Sequence, residues 1–155
     1  MNIFLVGICS FLASFAFGII FNIRSKRLLY AGFGGLLTGL TNLILNNYIK
    51  EDLIVYFIAT IIGTIYAEIL ARFQKAPTTV YLYPTLVPLV PGTYIYYTMS
   101  LLVIKEYSQG TIMGFYALGI AGAEAIAVLI SSSIIRLYFN YIKKSKFFTK
   151  KSNHC

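Results

Sequence analysis

Leu53-Ile54-Val55-Tyr56-Phe57-Ile58-Ala59-Thr60-Ile61-Ile62-Gly63-Thr64-Ile65-Tyr66-Ala67 contains no charged side chain, and the run continues to Phe73 with only Glu68 and Arg72 interrupting it. At ~1.5 Å per residue in a helix, Leu53–Phe73 is long enough to cross the ~30 Å hydrocarbon core of a bilayer. The pattern recurs on both sides of it. Apolar blocks of similar or greater length lie at about Asn2–Ile23, Leu28–Tyr48, Thr79–Ile104 and Thr111–Phe139, separated by short linkers in which the charges collect. These blocks predict an all-α membrane protein with about five transmembrane helices. Composition agrees, with 58% hydrophobic and 12% charged residues and a mean hydropathy of +0.76, where a soluble domain carries roughly 25% charged residues. So few charges cannot cover a water-exposed surface. The chain therefore reads as one transmembrane bundle over 1–142 followed by a basic tail over 143–155.

Lysine and arginine divide eleven to two between alternate sides of these spans. Arg24, Lys26, Arg27, Arg72, Lys75 and the tail from Arg136 to Lys151 fall on one side, Lys50 and Lys105 on the other. The positive-inside rule then predicts a multi-pass protein of the cell (cytoplasmic) membrane with its N-terminus outside and its C-terminus in the cytoplasm. The net charge of +8 is concentrated in Lys143, Lys144, Lys146, Lys150 and Lys151, where it holds that end at an anionic leaflet. So short a tail builds no folded basic face, so the expected partner is the lipid bilayer and not nucleic acid. The first apolar block lacks a positive n-region and is followed by a basic cluster, as an uncleaved helix would be. Cys9 in the first span and Cys155 at the end of the tail are predicted to lie toward opposite sides, and His154 beside Cys155 is read as a tail residue. No disulfide, metal site or cofactor follows from them.

Polar residues within the spans are informative because each is costly in hydrocarbon unless it faces protein, water or substrate. In the second span Gly34, Gly35, Thr38, Thr41, Asn42 and Asn46 fall within roughly 140° of the circumference at ~100° per residue. Gly35 and Gly39 have the spacing for close helix approach. The third span carries Thr60, Thr64, Glu68, Ala71 and Arg72 along one stripe, with Glu68 and Arg72 spaced to pair. The fifth carries Ala117, Ala121, Glu124 and Ser131, beside a ridge of Gly119, Ala123, Ala127 and Ser131. Helix packing accounts for the small residues. Glu124 is different, because it lies mid-span with no basic residue within two turns, where an acidic side chain costs ~2.5–3.5 kcal/mol on insertion scales. Either it couples transport to an ion, or it is a neutral carboxylic acid hydrogen-bonded to a neighbour.

The fourth block reads Tyr83-Pro84-Thr85-Leu86-Val87-Pro88-Leu89-Val90-Pro91-Gly92, with three prolines in eight residues. Each removes a backbone donor and clashes with the carbonyl four residues back, so a broken helix is predicted in the fourth span, facing the interior of the bundle. A half-helix restarting at Gly92 would begin within the membrane, and the N–H groups of Gly92, Thr93 and Tyr94 would suit an anion such as a substrate carboxylate. A proline kink serving only helix packing is the alternative. Pro88, Pro91, Gly92, Thr93, Tyr94 and Asn42 are the candidate substrate-binding residues, and Glu124, Glu68 and Arg72 the candidate coupling or ion-pair residues.

Ala67-Glu68-Ile69-Leu70-Ala71-Arg72-Phe73-Gln74-Lys75-Ala76-Pro77 followed by Pro88-Leu89-Val90-Pro91-Gly92 resembles the C-terminal half of the threonine/serine exporter family, over nearly the whole chain. Thr85 departs from the resemblance, standing where glycine is expected after the first proline. The resemblance implies a separate small subunit whose partner is a larger five-helix subunit of the same family. Five spans beginning outside and ending inside also fit one half of an inverted-repeat transporter, and the chain has no internal repeat, so its mate is another polypeptide or a second copy of itself.

The expected function is a subunit of a secondary exporter of small carboxylate-bearing metabolites. The resemblance points to threonine and serine, with a succinate-type dicarboxylate as the alternative. A homo-oligomeric channel and a scaffold subunit remain open. Enzyme activity is not expected, since no membrane-depth histidine, paired acidic motif or serine with a general base is present, and no P-loop supplies primary transport.

Overall fold

The computed structural model describes residues 3–23 and 26–152, with Asn140 and the helix beyond Tyr141 described by backbone only. Asn2, Arg24, His154 and Cys155 lie outside the described residues, as do the side chains of Lys143, Lys144, Lys146, Lys150 and Lys151. The described chain is all helical: α1 (Ile3–Ile20), α2 (Lys26–Tyr48), α3 (Asp52–Phe73), α4 (Thr79–Leu86) with a 3₁₀ turn at Val87–Leu89, α5 (Gly92–Val103) and α6 (Tyr107–Ser152). Four helices are long and apolar enough to cross a membrane: α1, α2, α3 and the Tyr107–Phe139 portion of α6. The fifth candidate is the pair Thr79–Leu89 and Gly92–Val103, bent by 53°. The fourth apolar block is thus a broken helix, as its prolines predict. The last helix begins at Tyr107, a turn before the expected Thr111.

Three of the four linkers use the same device to end a helix. Asn22, Lys75 and Lys105 adopt positive φ of 56°, 49° and 67°. Each is followed by a residue whose N–H reaches back five positions: Ile23 to the Gly18 carbonyl at 2.9 Å, Ala76 to Ala71 at 2.9 Å and Glu106 to Leu101 at 2.9 Å. These are Schellman closures, which satisfy terminal carbonyls that would otherwise be unpaired near the bilayer. Glycine usually occupies the left-handed position because it has no Cβ to clash. Asparagine and lysine hold it here, so composition gave no sign of these turns.

The interior is built from small and polar side chains, while leucine, isoleucine and phenylalanine largely face outward. Apolar side chains gain nothing by leaving lipid, so close packing takes over as the organising force. In α1 the buried residues are Gly7, Ser10, Ser14 and Gly18, and they lie against the glycine face of α2. A Cβ on Gly35 would overlap the Ser14 side chain, and one on Gly39 would overlap that of Ser10. The expected close approach through Gly35 and Gly39 is therefore made, with α1 as the partner.

α4 sits against both α2 and α3. Tyr81 is buried on Ala67 and Ala71, and Thr85 fills the space left by Gly34 and Gly63, where any Cβ would meet it. That threonine is accommodated by glycines on the two helices facing it. Its carbonyl accepts a 2.7 Å hydrogen bond from Thr38 Oγ1, so α2 caps α4 where the helix gives way to the 3₁₀ turn. Replacing Thr38 with valine keeps the shape and removes the donor. It is expected to lower unfolding stability by ~0.6 kcal/mol and by no more than ~1.7 kcal/mol, the average and the maximum measured for interhelical hydrogen bonds in a membrane protein, read as a shifted midpoint in mixed-micelle denaturation. An unchanged midpoint would mean that the Thr85 carbonyl finds another donor at no cost.

α6 packs on α3 and on α5, and the backbone of α5 comes close to that of α6 alone among the described helices, with Tyr94 reaching Asp52 of α3 by its side chain. No residue of α5 is buried. The α5–α6 hairpin therefore leaves much of its apolar surface uncovered by the rest of the chain.

Candidate functional site

The break is narrower than the proline count suggests. Pro84 lies inside α4, and Pro88 sits within the 3₁₀ turn. Only Val90 (φ −54°, ψ 126°) and Pro91 (φ −74°, ψ 52°) leave helical backbone. Proline suits the latter place because it contributes no N–H that would need a partner. Gly92 then opens α5 without a positive φ, and a Cβ added there meets nothing within 4 Å. The turn is thus made by Val90 and Pro91, and steric need does not explain the glycine.

A cavity of about 480 Å³ lies beside this break, between α5 and α6. Val90, Pro91 and Thr98 line it from the broken span, and Ala117, Ala121 and Glu124 from α6. Small residues on α6 leave the room, and the walls are mostly apolar. Thr98 Oγ1 is already committed to the Tyr94 carbonyl at 2.7 Å. Glu124 has a buried Oε1 with no hydrogen-bond partner, so the alternative of a carboxylic acid held by a neighbour has no support at that oxygen. The fold brings Pro91 and Glu124, 33 positions apart in the numbering, to one cavity.

The other candidates are distributed more widely. Pro88 faces α2, with its Cβ 3.8 Å from the place a Cβ on Gly39 would take. Gly92 and Thr93 are exposed. The Gly92 N–H is not free, since it donates to the Val90 carbonyl at 2.7 Å. Among the described residues, those of Thr93 and Tyr94 have no carbonyl acceptor. The Tyr94 phenol donates to Asp52 at the start of α3, and its ring lies 5.1 Å from that of Tyr116. That side chain ties α5 to α3 and α6 and stands apart from the residues lining the break cavity. Asn42 is half-buried, with its Nδ2 buried and unpaired. On the same face Thr41 spends its hydroxyl on the Leu37 carbonyl at 2.8 Å.

Glu68 and Arg72 form a second centre, separate from the break. Glu68 is 2% exposed and takes Arg72 Nη2 at 3.4 Å, the pairing that their spacing predicts. Arg72 is also held over the Phe139 ring at 4.3 Å. The sequence reading did not pair a third member, Arg136, whose Nε stands 3.8 Å from Glu68 Oε1. A signal was available, since Arg136 lies inside the last apolar block, where an arginine needs a partner. Counting it with the basic tail concealed that need.

The family model described as Threonine/Serine exporter, ThrE matches residues 6–134. No curated protein and no solved structure matches the chain. The matched region runs from α1 into the spanning part of α6 and includes both the proline break and Glu124, and on that extent the chain belongs to the threonine/serine exporter family.

Proposed function

We propose that this chain is one half of a proton-coupled secondary exporter of threonine and serine, working with a larger five-helix subunit of the same family. Membership of an exporter family makes it a multi-pass transporter protein with a small-molecule substrate. The observation that carries the rest is the single cavity shared by Glu124 and the Val90–Pro91 break. Broken spans with a lone intramembrane carboxyl beside them are where secondary transporters place substrate and coupling ion.

In this reading Glu124 exchanges the proton, the free N–H groups of Thr93 and Tyr94 face the substrate carboxylate, and the Asn42 amide serves the same translocation path. Glu68 and Arg72 form a supporting ion pair. The larger subunit covers the exposed faces of α5 and α6, and the orientation is the one the charge distribution favours, with the C-terminus in the cytoplasm.

Labelled threonine, serine and succinate loaded into cells expressing this chain, a large family subunit, or both provide the test. Efflux of threonine and serine is expected only from cells with both. Efflux from this chain alone would replace the two-subunit reading with a homo-oligomer. Succinate efflux without threonine efflux would change the substrate.

A further inference from the structure

α4 and α6 both pack on α3 but not on each other, and the gap between them is a cleft of about 250 Å³. That is below the ~300–1,000 Å³ of pockets for drug-sized molecules and suits one small metabolite. Glu68 forms part of its wall, and Arg136, Thr78, Thr79, Ser132 and Ser133 contribute the remaining polar groups. The Glu68 side chain is only 2% exposed, and its Oε1 has no hydrogen-bond partner. Arg136, 68% exposed, holds that oxygen only at 3.8 Å. A buried charge with an unfilled acceptor is costly, and in a pre-formed site a ligand can supply the missing donor.

We infer that this cleft is a binding site for a small α-amino-acid zwitterion, distinct from the Glu124 cavity and on the predicted cytoplasmic side of it. The ligand's ammonium donates to Glu68 Oε1, its carboxylate takes the Arg136 guanidinium, and a side-chain hydroxyl reaches the threonine and serine hydroxyls around them. Entry of such a ligand exchanges one long ion pair for two shorter ones and leaves no charge alone. A dicarboxylate could take Arg136 but would leave Glu68, still held by Arg72 at Oε2, with no donor at Oε1 and with a second negative charge close by. The unfilled acceptor at Glu68 Oε1, which only a donor can satisfy, therefore favours amino acids over dicarboxylates. Glu124 lies twelve residues earlier on α6, or ~18 Å along the helix, so the cleft acts as a loading site ahead of the break. This inference rests on the exporter reading.

The test is equilibrium binding of labelled L-threonine to the full chain in lipid nanodiscs, with L-serine, L-threonine amide, N-acetyl-L-threonine and succinate as competitors. For the unaltered chain, serine is expected to compete and the other three are not. Glu68→Gln should weaken threonine binding by about 10- to 100-fold, the scale of one charge-assisted hydrogen bond, and should make N-acetylthreonine as good a competitor as threonine. Arg136→Ala, at an exposed position that should not disturb folding, is expected to admit the amide in the same way. Unchanged affinity and selectivity in both variants would overturn the site. So would weaker binding with unaltered selectivity and a lowered thermal midpoint, which is the behaviour of a structural pin. Displacement by succinate as easily as by serine would overturn the zwitterion assignment. Threonine efflux by the two-subunit exporter without binding to this chain would move the site elsewhere, whereas neither efflux nor binding would bring down the exporter reading itself.

Discussion

Replacing Glu124 with glutamine is expected to remove proton-driven efflux while leaving threonine–threonine exchange across the same membrane intact. Glutamine preserves size and hydrogen-bonding capacity, so the cavity beside Val90 and Pro91 keeps its shape, but it can neither take up nor release a proton. Coupling between two sites is a free energy, typically ~1–3 kcal/mol, and corresponds to a ~5–150-fold change in one ligand's affinity when the other binds. Loss of that term should make efflux insensitive to an imposed pH gradient. Exchange, which requires no net proton movement, should continue. Glu124→Asp keeps the ionisable group on a shorter arm and should retain part of the gradient response. The measurement is labelled-threonine efflux from vesicles containing both subunits, with and without an inward proton gradient. If the glutamine variant responds to the gradient as the unaltered protein does, Glu124 is not the coupling group. The buried Glu124 Oε1 without a hydrogen-bond partner would then require a purely structural explanation.

The span count, the span positions and the break were legible because each follows from a one-dimensional rule. Apolar length gives the crossing, and proline removes a donor that lipid cannot replace. The location of the break to within two residues was not legible, because Pro84 and Pro88 are absorbed by helical and 3₁₀ backbone, and only the neighbours of Pro91 leave it. The Schellman turns were hidden as well, since Asn22, Lys75 and Lys105 occupy positions where a glycine would have marked them. For the site, chemistry singled out Glu124 and Glu68 as residues that are costly in hydrocarbon, and each carries a buried Oε1 without a hydrogen-bond partner. Partnership depends on which helices are neighbours, which no single span encodes. Glu68 and Arg72 lie four residues apart and could be paired from spacing, whereas Arg136 reaches Glu68 only because α6 lies along α3. Thr38 and Thr85 show the same limit, since neither is distinctive until α2 and α4 are placed side by side.

Gly35→Leu is expected to separate α1 from α2 and to destabilise the chain beyond the ~1–3 kcal/mol usual for overpacking. Even the first carbon of a new side chain would overlap Ser14 and stand 3.0 Å from the Ser10 carbonyl oxygen, and backbone cannot rotate out of the way as a side chain can. Gly39 makes a sharper comparison. There an added Cβ collides with the Ser10 side chain and otherwise comes only as near as 3.8 Å to Pro88. Ser10→Gly should therefore relieve Gly39→Ala almost fully, while Ser14→Gly should relieve Gly35→Ala only in part, because the Ser10 carbonyl remains. Unfolding midpoints of the four single variants and two double variants in mixed micelles give both coupling energies. Equal rescue at the two positions would mean that side chains alone set the α1–α2 distance. Unequal rescue in the stated direction would place the closest backbone approach at Gly35, one helical turn from the Gly39–Pro88 contact, so that the packing of α1 on α2 also fixes the platform against which the broken span rests.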